Sequence, residues 1–207
     1  MKEHLSGLKE FLKSPEFRHH LISSAIGLVL FIVMGCISYL TNPAKGDELI
    51  AQFMAMVSET GVIDPETGTI SVFMLLQNNW IAMLVMIFYG LIPFIQFPVI
   101  SLFTNGLLVG IMAGMYWVSD EMTMPLFLAG LVPHGIFEMT ALVVAVACGR
   151  YLCRNMTRLF SRKGEKPEMS LVFTDLLRVL LFVIAPLTVI AAFVEVYLTP
   201  LVQALFF

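Results

Sequence analysis

The stretch MPLFLAGLVPHGIFEMTALVVAVACG, residues 124–149, decides the fold class of this chain, because it is apolar over most of its length. About 20 apolar residues are enough for a helix to cross the hydrocarbon core of a bilayer. Near the middle of the stretch stand one histidine and one acidic residue, His134 and Glu138. Ionisable side chains at that depth are costly unless they are paired, and they usually mark function.

The composition of the whole chain supports a membrane protein. Of its 207 residues, 58% are hydrophobic and 13% are charged, and the mean hydropathy is +0.89. Soluble domains carry roughly 25% charged residues. We therefore predict an all-α, polytopic membrane protein whose residues 1–207 form a single helical domain. The sequence has no basic stripe suited to nucleic acid, so nucleic-acid binding is excluded.

Five apolar segments are predicted to span the membrane. They cover residues 21–41, 72–92, 98–118, 124–149 and 179–203. Four or six spans remain alternatives, because the second and third segments could form a re-entrant pair and the last could break at Pro200. Residues 1–20 and the outer loop 43–70 each contain an amphipathic pattern that predicts a helix on the membrane surface. A kink is predicted at Pro186.

The distribution of basic residues predicts the orientation. Most of the lysines and arginines lie in the N-terminal lead and in a basic loop at residues 150–170. Cytoplasmic loops are enriched in these residues, so we expect the N-terminus in the cytoplasm and the C-terminus outside. The same basic loop could also bind lipid headgroups or a partner, and that alternative stays open.

Polar residues on four of the five spans are predicted to meet. His134 and Glu138 are four positions apart, so a helix places them on one face. The last span carries a further acid, Glu195, and the second and third spans carry Asn79 and Asn105. One imidazole and two carboxylates suit a divalent transition metal, with zinc the first choice and iron or manganese as alternatives.

Two other uses of the cluster stay open beside the metal site. The three groups could share protons in a network that only fixes helix packing, or they could relay protons or a small solute in a transporter. In the metal interpretation, Asn78, Asn79 and Asn105 would add a ligand or orient the others through hydrogen bonds. The spacing lacks the second histidine of the His-Glu-x-x-His pattern. We therefore assign no catalytic residue and expect a role other than catalysis.

Small residues on the third span form two overlapping Gly-x-x-x-Gly steps, at Gly106, Gly110 and Gly114. Such stripes let helix backbones approach closely in lipid. We predict that they pack helices within the bundle, with a homodimer as the alternative.

Three blocks of sequence resemble the stage II sporulation protein M family along the whole chain. The blocks are LVPHGIFE (residues 131–138), AAFVE (residues 191–195) followed by Thr199-Pro200, and Asn78-Asn79 with Asn105-Gly106 and Gly110. The family's polar positions fall here on residues already singled out: Asn79, Asn105, His134, Glu138 and Glu195.

The resemblance implies a multi-pass protein of the bacterial cytoplasmic membrane. In spore formers the family member is a scaffold for two peptidoglycan-degrading enzymes, a lytic transglycosylase and an amidase, during engulfment of the forespore. The family also occurs in organisms that form no spores, so the resemblance implies a scaffold for engulfment or for a related envelope process. A metal-dependent intramembrane hydrolase and a small-solute or proton transporter are the alternatives.

Overall fold

A computed structural model describes residues 2–62, 69–120, 123–162 and 165–206. The regular structure of these residues is helical, and five of their helices are long and apolar enough to cross a membrane. These are Pro15–Thr41, Val72–Leu91, Pro98–Val118, Met124–Phe160 and Met169–Gln203. The prediction of an all-α chain with five membrane-length helices is therefore confirmed for the described residues. Residues 63–68 of the predicted outer loop and Lys163 of the predicted basic loop lie outside them.

The first three helices are separated by residues that cap the next helix. They are α1 (Lys2–Lys13), α2 (Pro15–Thr41) and α3 (Pro43–Glu59). The side chain of Ser14 accepts a hydrogen bond from the backbone N–H of Phe17, and the side chain of Asn42 accepts one from Lys45. Each cap is followed by a proline, whose fixed φ and missing N–H suit the first turn of a helix. The amphipathic helices predicted at the N-terminus and in the outer loop are thus α1 and α3.

The second and third spans are α4 (Val72–Phe88), extended by a 3₁₀ turn at Tyr89–Leu91, and α5 (Pro98–Val118). Helix α5 packs along α2 through glycines on both helices. A Cβ atom on Gly110 would lie 2.0 Å from the carbonyl oxygen of Ile32, and one on Gly35 would lie 2.2 Å from that of Leu107. The two backbones are therefore in direct contact. Gly106 and Gly114 also face α2.

Helix α6 (Met124–Phe160) is the central element of the bundle. It contacts α2, α4, α5 and the last helical segment, and every residue from 141 to 149 is buried. The helix continues through Pro133 and past residue 149 to Phe160. The prediction that residues 150–160 belong to a basic loop is therefore wrong. The apolar run marks only the part of the helix at membrane depth. The polar end continues as helix, with Leu152 and Cys153 buried and with Arg154 and Arg158 paired with Glu16.

The last helical segment, Met169–Gln203, contains two π turns. In order it consists of α7 (Met169–Val179), a π turn at Leu180–Ile184, α8 (Ala185–Phe193), a π turn at Val194–Leu198 and α9 (Thr199–Gln203). Each π turn precedes a proline, Pro186 or Pro200. A proline lacks an N–H and its ring clashes with the carbonyl four residues before it, and a wider turn accommodates both problems. The segment starts ten residues before the predicted position 179 and continues through Pro200.

Candidate functional site

The structure brings His134, Glu138 and Glu195 together. Helix α6 supplies the first two residues from one face, and the second π turn supplies Glu195. One ring nitrogen of His134 and one oxygen of each carboxylate all lie within 4.8 Å of one another. All three side chains are half-buried. Single π turns inside helices are frequent at functional sites, and here the second π turn carries Glu195, the member of the cluster farthest along the chain.

A threonine that the sequence analysis did not single out as a site residue orients the histidine. Thr199, the first residue of α9, is buried, and its Oγ1 lies 3.3 Å from Nδ1 of His134. The same hydroxyl donates its proton to the carbonyl of Val194 at 3.2 Å. A threonine hydroxyl has one proton to donate, so when that proton goes to Val194 the oxygen can accept from Nδ1–H of His134, in one of the two tautomers that the contact allows. The tautomer that results leaves Nε2 with a free lone pair, as a metal-binding histidine requires.

Two cavities lie beside the cluster. The larger one, of about 470 Å³, lies between the cluster and the apolar side chains of α3 and α4. Its polar lining consists of Thr60, Asn78, Asn79, Asn105, Glu138 and Glu195. The second cavity, of about 360 Å³, is lined by Asn105, His134, both glutamates and Gln203, among others. Both carboxylates therefore face both cavities, and Phe53 of α3 lines both as well.

The three asparagines predicted to support the cluster occupy different environments. Asn79 is 7% exposed, and its Nδ2 has no hydrogen-bond partner among the described residues. Asn105 donates from Nδ2 to the carbonyl of Ser101 at 2.8 Å, which leaves its side-chain carbonyl as the group that can serve the cavities. Asn78 is exposed on α4 and lines the larger cavity.

The donor set suits a divalent transition metal. Zinc binds imidazole nitrogen and carboxylate oxygen at about 2.0–2.2 Å, so donors that share one ion lie closer together than 4.8 Å. Small changes in the χ angles of half-buried side chains can shorten these separations. His134 and Glu138 are separated by one helical turn, and Glu195 would complete the set from the neighbouring segment.

The site contains residues that the sequence analysis missed. The sequence indicates Thr199 only as part of a motif block, and it does not indicate Gln203 or Phe53 as site residues. One signal was present for Thr199, since a polar residue four positions after Glu195 lies on a similar side of a helix. No sequence signal pointed to Phe53, because the contact of α3 with the cavities depends on how the surface helix folds over the bundle.

The family model for stage II sporulation protein M matches residues 24–200 of the chain. The chain belongs to the stage II sporulation protein M family. The match extends from α2 to the start of α9, so it includes the whole cluster and Thr199. The resemblance seen in the three sequence blocks is thereby confirmed, and with the five apolar helices it identifies a multi-pass membrane protein.

This stage II sporulation protein M family member has a relative in Methanocaldococcus jannaschii. An uncharacterised protein of Methanocaldococcus jannaschii is 35% identical to it over 126 residues, which are 61% of this chain and 69% of that protein. No solved structure matches the chain.

Proposed function

We propose that this chain is a membrane scaffold of the stage II sporulation protein M family whose His134, Glu138 and Glu195 bind one divalent transition metal ion. The observation that carries the proposal is the convergence of the three donor groups within 4.8 Å inside the bundle. The ion would join α6 to the last helical segment, since each contributes ligands. Zinc is the first choice for imidazole and carboxylate donors, with iron or manganese as alternatives.

The charges of the cluster support a cation in preference to a purely structural network. Glu138 and Glu195 are close together and half-buried, where two like charges repel each other strongly. Among the described residues, no lysine or arginine forms an ion pair with either carboxylate. A divalent cation would neutralise both carboxylates at once, and Thr199 would hold the histidine in the tautomer that can join them.

The scaffold role is supported by family membership and by the position of α3. Helix α3 lies next to the larger cavity, and its Met54 and Met56 remain about half exposed. A bundle braced by an ion would hold α3 in a fixed place. We propose that α3 then offers a docking surface to enzymes that remodel the cell wall, such as the lytic transglycosylase and the amidase that the family resemblance implies.

Elemental analysis of the full chain tests the metal site. The protein is purified in detergent, loaded with zinc, iron or manganese in turn, desalted and measured by mass spectrometry of the elements. We expect about one ion per chain for one of the three metals, and a loss of most of it in Glu138→Gln and in Glu195→Gln. Glu59→Gln, which changes an exposed acid on α3, should retain the ion.

Two results would overturn the metal proposal. The first is a folded wild-type chain that retains none of the three metals. The second is equal retention by Glu138→Gln, Glu195→Gln and Glu59→Gln, because the ion would then be bound elsewhere.

The cavities favour a second candidate function, a metal-dependent hydrolase inside the membrane. Catalytic zinc sites have three protein ligands and keep an open position for water or substrate, and here the donors face two cavities. Cobalt substitution tests this candidate through its absorption spectrum. If azide or a hydroxamate changes the spectrum of the cobalt protein, the ion has an open position. An unchanged spectrum indicates a closed, structural site.

A further inference from the structure

A second polar site lies at the opposite end of α6. It is a groove of about 470 Å³ between the start of α2, the connection from α4 to α5 and the polar end of α6. We call it the arginine groove, and its lining residues are His20, Phe94, Gln96, Arg150, Arg154, Thr157 and Arg158. None of these residues belongs to the cluster described above.

The arginine groove carries an excess of positive charge. Its lining includes three arginines and no carboxylate. Glu16 lies at its edge and pairs with Nε of Arg154 and Nη1 of Arg158, each at 3.0 Å. One carboxylate is thus shared by two guanidinium groups, and the third arginine, Arg150, has no ion-pair partner among the described residues.

Arg150 is held in place by neutral groups. Its Nη1 donates to Oγ of Ser23 at 2.7 Å and to Oγ of Ser24 at 3.1 Å, and its Nε donates to Oε1 of Gln96 at 3.3 Å. These contacts fix the planar guanidinium without neutralising its charge. A positioned guanidinium of this kind is suited to bind the oxygens of a phosphate group.

His20 supplies an independent indication of a ligand. Its side chain is 5% exposed, and neither ring nitrogen has a hydrogen-bond partner among the described residues, although it borders the groove. Buried polar atoms in native proteins nearly always have a partner, and an unpaired one is unfavourable. Both ring nitrogens are also closed to solvent, so a ligand oxygen in the groove would reach the N–H of His20 only after a change in the χ angles of the ring.

The position of the groove relative to the hydrocarbon core of the membrane indicates which kind of anion it binds. The distance along α6 from Met124 to Arg150 is about 39 Å at a rise of 1.5 Å per residue, which exceeds the ~30 Å thickness of the hydrocarbon core. With Met124 near one boundary of the hydrocarbon core, this length places Arg150 beyond the other boundary, at the level of the phospholipid headgroups. Phe94 is 68% exposed beside the groove, and its backbone N–H donates to Oγ1 of Thr157 at 2.8 Å. An apolar ring next to the arginines suits a ligand with both a phosphate and an acyl chain.

We propose that the arginine groove binds the phosphate of an anionic phospholipid, with Arg150 and His20 as the groups that contact its oxygens. Basic pockets between membrane helices are suited to anionic headgroups, which also provide the negative charge that Glu16 alone does not. The phosphate chemistry is shared with free phosphate, and the depth of the groove and the exposed Phe94 favour the lipid.

The test uses the full chain, stripped of lipid and placed in nanodiscs of phosphatidylcholine with increasing amounts of phosphatidylglycerol. Thermal unfolding is followed by circular dichroism, and retained lipid is identified by native mass spectrometry. We expect phosphatidylglycerol to raise the unfolding temperature and one molecule of it to remain bound. Arg150→Gln should lower the apparent affinity about tenfold, as loss of one charged hydrogen-bonding contact does. Arg18→Gln, which removes an exposed charge outside the groove, should have little effect.

A second variant separates lipid binding from a purely structural role. It still tests whether the arginine groove binds the lipid if Arg150→Gln does not fold. His20→Phe replaces a buried, unpartnered ring by an apolar ring of similar size, so the protein in phosphatidylcholine should unfold at the same or a higher temperature. Its stabilisation by phosphatidylglycerol should nevertheless shrink.

Two results overturn the proposal. One is equal stabilisation by phosphatidylglycerol of the wild type, His20→Phe and whichever Arg150 variant folds, because the lipid would then act elsewhere. The other is full stabilisation by inorganic phosphate in phosphatidylcholine nanodiscs, which would identify a site for free phosphate.

Discussion

The side chain of Thr199 has one hydroxyl proton, and the carbonyl of Val194, at 3.2 Å, is placed to accept it. The carbonyl belongs to the π turn, where regular α-helical hydrogen bonding is interrupted. The same contact makes the hydroxyl oxygen an acceptor for His134. One residue therefore stabilises the distorted backbone next to Glu195 and sets the tautomer of the histidine opposite it.

Replacing Thr199 by valine should weaken metal binding without unfolding the protein. Valine has nearly the same shape but cannot accept from Nδ1–H, so His134 loses the partner that fixes its tautomer. Loss of such an outer partner typically costs 10–100-fold in metal affinity. Competition with a zinc chelator measures this affinity in the purified variant.

Thr188→Val is the matched control for this measurement. Thr188 is fully buried in α8 and donates to the carbonyls of Ile184 and Ala185, far along the segment from the cluster. Equal affinities in the two variants would show that Thr199 acts only through general stability.

At the scale of the helices, two contacts beside the apolar core around α6 differ in kind. Helices α2 and α5 touch backbone to backbone through glycines, whereas α6 and the last helical segment bring polar side chains and cavities between them. In lipid, close packing at small residues is a main source of helix association. The first contact therefore supplies cohesion, and the second leaves room for a ligand.

Gly110→Ala should destabilise the protein by separating α2 from α5. The added Cβ would lie 2.0 Å from a backbone oxygen, which cannot move aside without moving the helix, and overpacking of this kind costs about 1–3 kcal/mol. Gly27→Ala is the control, because its Cβ would meet the movable end of Leu102 at 3.3 Å in the same interface. Thermal unfolding in detergent should show a clear drop for the first variant and little change for the second. Equal unfolding temperatures of Gly110→Ala and Gly27→Ala would mean that the close contact contributes nothing to stability.

At the scale of the whole molecule, contacts among the helix ends and the segments that connect them define two sides of the bundle. Glu16 meets the end of α6 through Arg154 and Arg158, and Phe94 meets it through Thr157. The start of α2, the connection after α4 and the end of α6 are therefore on one side, which is also the basic side. Helix α3 lies on the other side, since it follows the far end of α2.

The predicted orientation places the basic side in the cytoplasm. A membrane-impermeant maleimide added to intact cells should then label Lys45→Cys, on α3, and leave Lys13→Cys, on α1, unlabelled until the membrane is opened. Both positions are exposed. Both variants also carry Cys36→Ser, which removes a partly exposed native cysteine, whereas Cys148 and Cys153 are buried and are left in place. The reverse labelling pattern would place the N-terminus outside.

The sequence was sufficient to predict the five membrane-length helices and the residues of the cluster, for physical reasons. Apolar runs of membrane length admit few alternatives to a helix, and intramembrane acids are rare enough to stand out. The end of α6 was missed, because the helix continues past its apolar run by burying Leu152 and Cys153 against the bundle, and its arginines pair with an acid 138 or more positions away in the chain. The contact between Thr199 and His134 was also missed, because the π turn before Thr199 changes the side of the helix on which Thr199 lies.

The glycine contact between α2 and α5 has a mechanical consequence. Two backbones pressed together cannot slide without a clash, so this half of the bundle behaves as a stiff frame. Across the molecule, α6 and the last helical segment meet at the cluster through side chains that line two cavities, and the two π turns interrupt the regular helix of that segment. If the cluster binds an ion as proposed, we expect its release to move the last helical segment relative to α6, while α2 and α5 keep their relative position.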